Sequence, residues 1–247
     1  MSYVVHIIES PSEDDFLASR SEGRVLMEAL THAGLPVAMS TVISRNALTK
    51  VVVGIAIKAK ALSMEGKPIT PILHLSMHGS ENEIGLTSGE RLTWKQLAPL
   101  VGTVHSMSGG MWLVMSTCKG FSSSRMAYHQ EAPFSVMIGS SEDINWNDTV
   151  AVFTAFYHHV IRHEGSAQSG VSIMNAILGT TVFGQTTGAA AQDAWTWLRN
   201  LQEQAVSGEH LIQLMEQTLG PRNTWPVDLS MLDGLDLGNL DPRLVSL

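Results

Sequence analysis

The sequence predicts an α/β fold: a three-layer α-β-α sandwich with a mostly parallel central sheet and helices on both faces. Three observations lead there. Short apolar, β-branched runs alternate with helical-period segments from 4 to 165, the order of strands joined by helical crossovers. Residues 69–77 (ITPILHLSM) are almost continuously apolar, as in a strand covered on both faces. Two such runs end in His78-Gly79 and in Cys118-Lys119-Gly120, at the carboxyl ends of strands, where ligands of open parallel sheets sit.

Residues 4–8 form the first strand, and Ser10-Pro11-Ser12 opens a loop after it. Val25, Leu26, Ala29 and Leu30 fall at helical spacing within 21–32, and Gly34 follows as the C-cap. Residues 36–43 (PVAMSTVI) make the second strand. Leu48, Val51, Val52, Ile55 and Ala56 share one face of a helix over 46–64, which Gly66-Lys67-Pro68 stops. The third strand is 69–77. A small hairpin over 83–93 turns at Ser88-Gly89, and Thr93 caps a helix over 94–101. Gly109-Gly110 leads into the fourth strand, 111–116, and 134–138 is the fifth. Asp148 or Thr149 caps a long helix through His163, closed by Gly165.

Residues 165–170 (GSAQSG) read as a flexible joint, so 1–165 is the expected catalytic core. Residues 166–247 are an extension that completes the sheet and helices and is available for docking a partner. Within it, 171–178 is a strand or a short helix, 189–203 and 209–218 are helices, and Pro, Gly and Asp punctuate the tail from Gly220. The stretch 179–186 (GTTVFGQT) echoes a phosphate loop, but Gln185 stands where the lysine belongs, and the echo is set aside.

At 44% apolar and 15% charged over 247 residues, the chain is too apolar for disorder, and 21 Gly and 9 Pro exclude a coiled coil. A net charge of −8 without a Lys/Arg run disfavours nucleic acid and anionic membrane as partners. The lone Cys118 excludes an internal disulfide, and no run reaches the ~18–20 apolar residues of a membrane span. With no basic, apolar leader at the N-terminus, the expected location is the cytoplasm.

Cys118 follows an apolar strand and precedes a small turn, which exposes a thiol to substrate. His78 likewise ends a strand, with Gly79 next to allow close backbone approach. If the third and fourth strands pair, the two side chains meet across the top of the sheet. The His158, His159 and His163 group at a helix end reads as ordinary C-terminal cations rather than a metal pair.

LHLSMHG (73–79) with Ile84-Gly85-Leu86 and Leu92-Thr93-Trp94, and WLVMSTCKG (112–120), resemble the histidine and cysteine blocks of caspase-like cysteine peptidases of clan CD. They are most similar to the CHAT and separase-like branch, with Thr117 where alanine is usual. The resemblance spans 3–165. It implies a caspase-like fold and a cysteine endopeptidase with His78 and Cys118 as a dyad, and with the backbone N–H groups of Gly79 and Cys118 as oxyanion hole. It implies no metal or organic cofactor, a protein substrate and a regulatory or activating partner. It also implies a setting in prokaryotic signalling or antiviral defence. Relatives selective for basic P1 residues carry an acid near the loop that holds Glu142 and Asp143. These two, Asp143 first, are the expected S1 residues, although the surrounding run matches loosely. Glu81 or Glu83 could orient His78, and His74, four residues earlier on the same strand, buttresses it or packs under a helix. The loop 121–131, with Arg125, is the expected mobile or cleavable segment. The contrasting reading is a non-catalytic caspase-fold scaffold or binding subunit. A hydrolase built on a nucleophile elbow fits less well, because its histidine follows the nucleophile.

Overall fold

Side-chain alternation along each strand decides which helices it meets. The computed structural model describes residues 2–204 apart from Ser19 and Gln130, together with His210, Gln213 and Gln217. The chain runs β1 (Ser2–Ser10), α1 (Glu13–Leu17), α2 (Glu22–His32), β2 (Val37–Thr41), α3 (Arg45–Met64), β3 (Ile69–Gly79), β4 (Glu83–Gly85) and β5 (Arg91–Thr93). It continues as α4 (Trp94–Ser108), β6 (Trp112–Ser116), α5 (Met126–His129), β7 (Val136–Ser140), α6 (Trp146–Tyr157), α7 (Ala167–Leu178), β8 (Phe183–Thr187) and α8 (Gly188–Gln204). The sheet order is β2-β1-β3-β6-β7-β8. Every neighbouring pair on that path is parallel except β7 with β8, and the hairpin β4–β5 hangs on the end of β3.

Val5, Ile7, Ile72, Val114 and Ile138 bury one face of the sheet against Leu26 and Leu30 of α2 and Val152, Phe153 and Phe156 of α6. Ile8, Leu73, Leu75, Leu113, Met115 and Met137 bury the other face against α3, α4 and α8. This is the three-layer sandwich with a mostly parallel sheet. Each layer closes by removing apolar surface from water, about 25 cal/mol per Å².

Ser21, Ser44, Thr93 and Ser166 cap α2, α3, α4 and α7 with their side-chain oxygens, and Thr93 with Gln96 forms a capping box. Several boundaries differ from the sequence reading. The helix expected over 94–101 runs through Pro99 to Ser108 and stops at Gly109, whose φ of 75° is open to glycine. The fifth strand begins two residues later than expected, at Val136, because Phe134 is buried ahead of the strand rather than in it. Asn145, not Asp148 or Thr149, caps α6, and the turn at 158–162 is π-helical. The ambiguous 171–178 lies in a helix, α7, and the stretch resembling a phosphate loop contributes the edge strand β8. The helix read over 209–218 and the tail from Gly220 lie outside the described residues, His210, Gln213 and Gln217 excepted. No helix among the described residues is long and apolar enough to cross a membrane.

His6, in the middle of β1, is buried with Nε2 lacking a hydrogen-bond partner. Burial, reinforced by the Lys58 charge, pushes its pKa from 6.5 down to about 4. Between those values the unfolded chain binds the proton and the folded chain does not, so stability is complete above pH 6.5 and declines toward pH 4. The loss expected over that interval is about 3 kcal/mol. His6→Leu should remove most of this slope in urea unfolding measured from pH 7 to 4.

Candidate active site

The parallel pairing of β3 with β6 sets Ser76 opposite Ser116. His78 and Cys118 each lie two residues beyond that pair, on the face that meets α2 and α6. The backbones close tightly here. A Cβ on Gly79 would lie 2.8 Å from Thr117 Cβ and 2.9 Å from the Cys118 carbonyl oxygen, so only glycine fits without a shift. The His78 side chain is 65% exposed. Cys118 is half-buried, its Sγ 3.9 Å from the Ile144 carbonyl.

Lys119, directly after Cys118, has φ 54°, a left-handed conformation that costs a non-glycine residue about 1 kcal/mol or more. Three contacts hold it there. Its N–H donates to the Glu142 carbonyl at 3.1 Å, its Nζ pairs with Glu142 Oε2 at 3.0 Å, and Gly120 N–H donates to the Thr117 carbonyl at 3.1 Å. The sharp turn leaves Cys118 at the mouth of a cavity.

That cavity, about 560 Å³, is lined by both His78 and Cys118. Four carboxylates line it, Glu9, Asp15, Glu22 and Asp143, against one permanent cation, Arg20. Glu9 and Glu22 are buried. Glu9 accepts from the Ser21 hydroxyl at 2.6 Å and the Gly23 N–H at 2.8 Å. Glu22 accepts from Ser76 at 2.8 Å and Ser116 at 2.7 Å, and the His74 Nε2 stands 3.6 Å away. Burial opposes the charge on Glu22, but His74 and the two serine hydroxyls outweigh it and keep the carboxyl below its ordinary value. Tyr157, wholly buried, shares a 2.8 Å hydrogen bond with His74 Nδ1, and burial raises its phenol well above the usual pKa.

Asp15, on α1, reaches His78 Nε2 with Oδ2 at 3.3 Å. Ser12 donates to it at 2.6 Å and Arg20 pairs with it at 3.1 Å. The Ser12 hydroxyl, with His78 and Arg20, outweighs partial burial and holds the Asp15 carboxyl below its usual value.

The structure thus gathers His78, Cys118 and Asp143 in one cavity at the carboxyl ends of β3, β6 and β7, with Gly79 against Thr117 and Cys118 beside it, whereas Glu142 is engaged with Lys119 and does not line the cavity. The carboxylate at His78 is Asp15, and Glu83 pairs instead with Arg91 at 2.7 Å. His74 packs under α6 and joins the Glu22 network. The stretch read as a mobile loop after Cys118 is a 3-10 turn over Gly120–Arg125 followed by α5. Its Ser122, Ser123 and Ser124 are buried, and Arg125 donates to Asn82 Oδ1 at 2.8 Å. Glu9, Asp15 and Glu22 escaped the sequence reading. One signal could have found Glu22: Ser76 and Ser116 are hydroxyls at inward positions of otherwise apolar strands, and buried hydroxyls need partners.

Glu22→Ala, which strands both hydroxyls, should cost about 2–3 kcal/mol in urea unfolding at pH 7. Glu22→Gln, which still serves both serines, should stay within about 1 kcal/mol. The wild-type advantage over Glu22→Gln should be present above the ordinary carboxylate range and vanish as pH falls through the lowered Glu22 value.

Neither a protein-family model nor a curated protein sequence matches the chain. Solved structures do. A secreted C11 cysteine protease from Bacteroides thetaiotaomicron, in complex with an irreversible peptide inhibitor, is similar at TM-score 0.52 and 9% identity, over 81% of this chain and 69% of that one. A second structure of a secreted C11 cysteine protease from the same organism, termed iotapain, is similar at TM-score 0.59 and 10% identity, over 89% of this chain and 74% of that one. At such identities the likeness is one of fold, and placement in the CHAT and separase-like branch rests on the motifs around His78 and Cys118 alone. The fold of this chain is that of the caspase-like C11 cysteine proteases.

Proposed function

We propose that the protein is a caspase-like cysteine endopeptidase that cleaves a protein substrate after a basic residue. One observation carries this reading: His78 and Cys118, on adjacent in-register strand ends, open into one cavity lined by four carboxylates. The Cys118 proton passes to His78, and Sγ attacks the scissile carbonyl carbon. Backbone N–H groups of Gly79 and Cys118 receive the developing oxyanion. The C–N bond breaks as His78 gives its proton to the leaving amine, which leaves a thioester on Cys118. His78 then takes a proton from water, the hydroxyl oxygen bonds the acyl carbon, and the C–S bond breaks to return the thiol. Asp15 orients the imidazole through its Nε2 contact, so the other ring nitrogen is available to the thiol.

The substrate preference follows from charge. Each carboxylate offers about four lone-pair sites. Those of Glu9 are only partly used by Ser21 and Gly23, so acceptor capacity remains for a lysine or arginine head. Asp143 adds a fourth carboxylate to the lining. Control by a partner protein, in a prokaryotic signalling or defence setting, belongs to the same proposal through the motif resemblance.

The test is cleavage of a peptide library by the wild-type chain, Cys118→Ala and His78→Ala. Cleavage after Lys or Arg, abolished by both substitutions, is expected. Asp143→Asn should lower kcat/KM for a basic P1 by about tenfold, equivalent to ~1.4 kcal/mol. Asp15→Ala should lower kcat by about tenfold with little change in KM, the mark of lost orientation rather than lost binding. Cleavage after uncharged residues would retain the dyad and overturn the acidic-pocket assignment. No cleavage, and no labelling of Cys118 by a thiol-reactive peptide, would favour a non-catalytic scaffold.

A further inference from the structure

His78 borders a second hollow. It measures about 320 Å³ and lies between the β1–α1 loop and the β4–β5 hairpin. It shares Ser10, Pro11 and His78 with the larger cavity. Cys118, Thr117 and the loop after β7 line only the larger cavity, while Gly79, Ser80 and the hairpin line only the smaller one. The imidazole therefore stands at the junction of two hollows, and the thiol faces one of them.

We infer that the smaller hollow is the subsite for the leaving-group half of the substrate, and that it favours a basic residue within the first two positions after the scissile bond. The inference rests on the peptidase reading above. Its direction comes from the chemistry. The acyl carbon must sit at Cys118 Sγ, so the acyl half occupies the cavity that Cys118 lines. The departing nitrogen must sit at the proton donor, His78. The chain continuing from that nitrogen passes the imidazole, and the hollow on that course is the one that touches His78 and not Cys118.

The lining decides the residue class. Glu13, Glu83 and Glu90 face one cation, Arg91, which is already paired to Glu83 at 2.7 Å. Glu90 accepts from the Ser88 hydroxyl at 2.8 Å and the Arg45 N–H at 3.1 Å, which anchors its carboxylate. Glu13 is exposed at the start of α1. Pro11 and Leu86 supply apolar surface, and Gly85 and Gly89 add no side-chain bulk to the hairpin wall. An apolar stem with a cationic head, as in lysine or arginine, suits this wall.

Two kinds of substrate with the same P1 lysine test this. One carries an aminocoumarin as leaving amine and has nothing beyond the bond. The others are internally quenched peptides with Lys, Ala or Glu at the first two positions after it. The expected order of kcat/KM is Lys above Ala above Glu, with about fivefold between Lys and Ala that shrinks in high salt. Glu13→Gln should reduce the Lys-to-Glu ratio to about half, each rate being normalised to that variant's own aminocoumarin turnover. Turnover of the aminocoumarin substrate with no such order among the peptides, or a ratio that Glu13→Gln leaves intact, overturns the subsite and leaves the peptidase reading standing. If neither the aminocoumarin nor any peptide is turned over, the peptidase reading fails and takes the subsite with it.

Discussion

Glu22 reads the register of the central sheet. Its two oxygens accept from Ser76 on β3 and Ser116 on β6, the two residues that face each other in the parallel pairing. A slip of either strand by one residue would turn its hydroxyl to the opposite face and put an apolar side chain against a buried carboxylate. The same slip would move His78 or Cys118 to the wrong side of the sheet, since each lies two residues past its serine. One buried charge thus enforces the pairing that places the proposed nucleophile beside its proton carrier. A carboxylate this buried is tolerated because each of its oxygens accepts from a serine hydroxyl, with the His74 ring, itself bonded to Tyr157, 3.6 Å away.

Above that register lock the ends of β3 and β6 are tied by short-range geometry rather than apolar packing. Gly79 lets the turn after His78 press onto Thr117 and Cys118. Lys119 stays left-handed because Glu142 grips both its backbone and its ammonium. Arg125, on the 3-10 turn after Cys118, reaches back to Glu81 and Asn82 in the loop after His78. Each tie joins the cysteine loop to a neighbour, so a strained conformation at Lys119 is over-determined by its surroundings. This gives Glu142 a plain physical role at the site although it does not line the cavity.

Much of this was legible in the residues. The strands before His78 and Cys118 announce themselves as apolar runs, and the helices by spacing and by Ser and Thr caps. Hence the layer order followed from pattern, whereas the pairing of the third and fourth strands was a condition that the structure meets. What escaped lacks pattern. The five residues of α1 (EDDFL) are too few to show a helical period, and β8 (FGQTT) is a half-buried polar strand at the sheet edge. Phe134 is as apolar and as buried as a strand residue without being in one. Glu22 looks like any acid in the first turn of a helix, where the dipole welcomes it. Only the tertiary approach of α2 to the ends of β3 and β6 makes it a buried link.

The residues missed share an origin, and it bears on how the site is built. Glu9 at the end of β1, Glu22 at the start of α2, and Asp15 and Arg20 between them all belong to the stretch from β1 to α2, while His78 ends β3 and Cys118 follows β6. Glu9 closes that stretch on itself by accepting from Ser21 and Gly23 at its far end. Asp15 and Arg20 pair within it, and Ser10 ties its start to Thr87 of the hairpin segment. The proposed reactive pair therefore sits at strand ends whose register the core enforces, while the carboxylates proposed to meet substrate span the buried Glu9 and Glu22 and the clamped stretch between them. Asp15 and Arg20 can change without disturbing sheet or core, whereas Glu22, which accepts from β3 and β6, cannot. On the proposed reading, bond breaking and substrate choice fall to different parts of the chain, and only the strand ends leave a pattern that apolar periodicity can reveal.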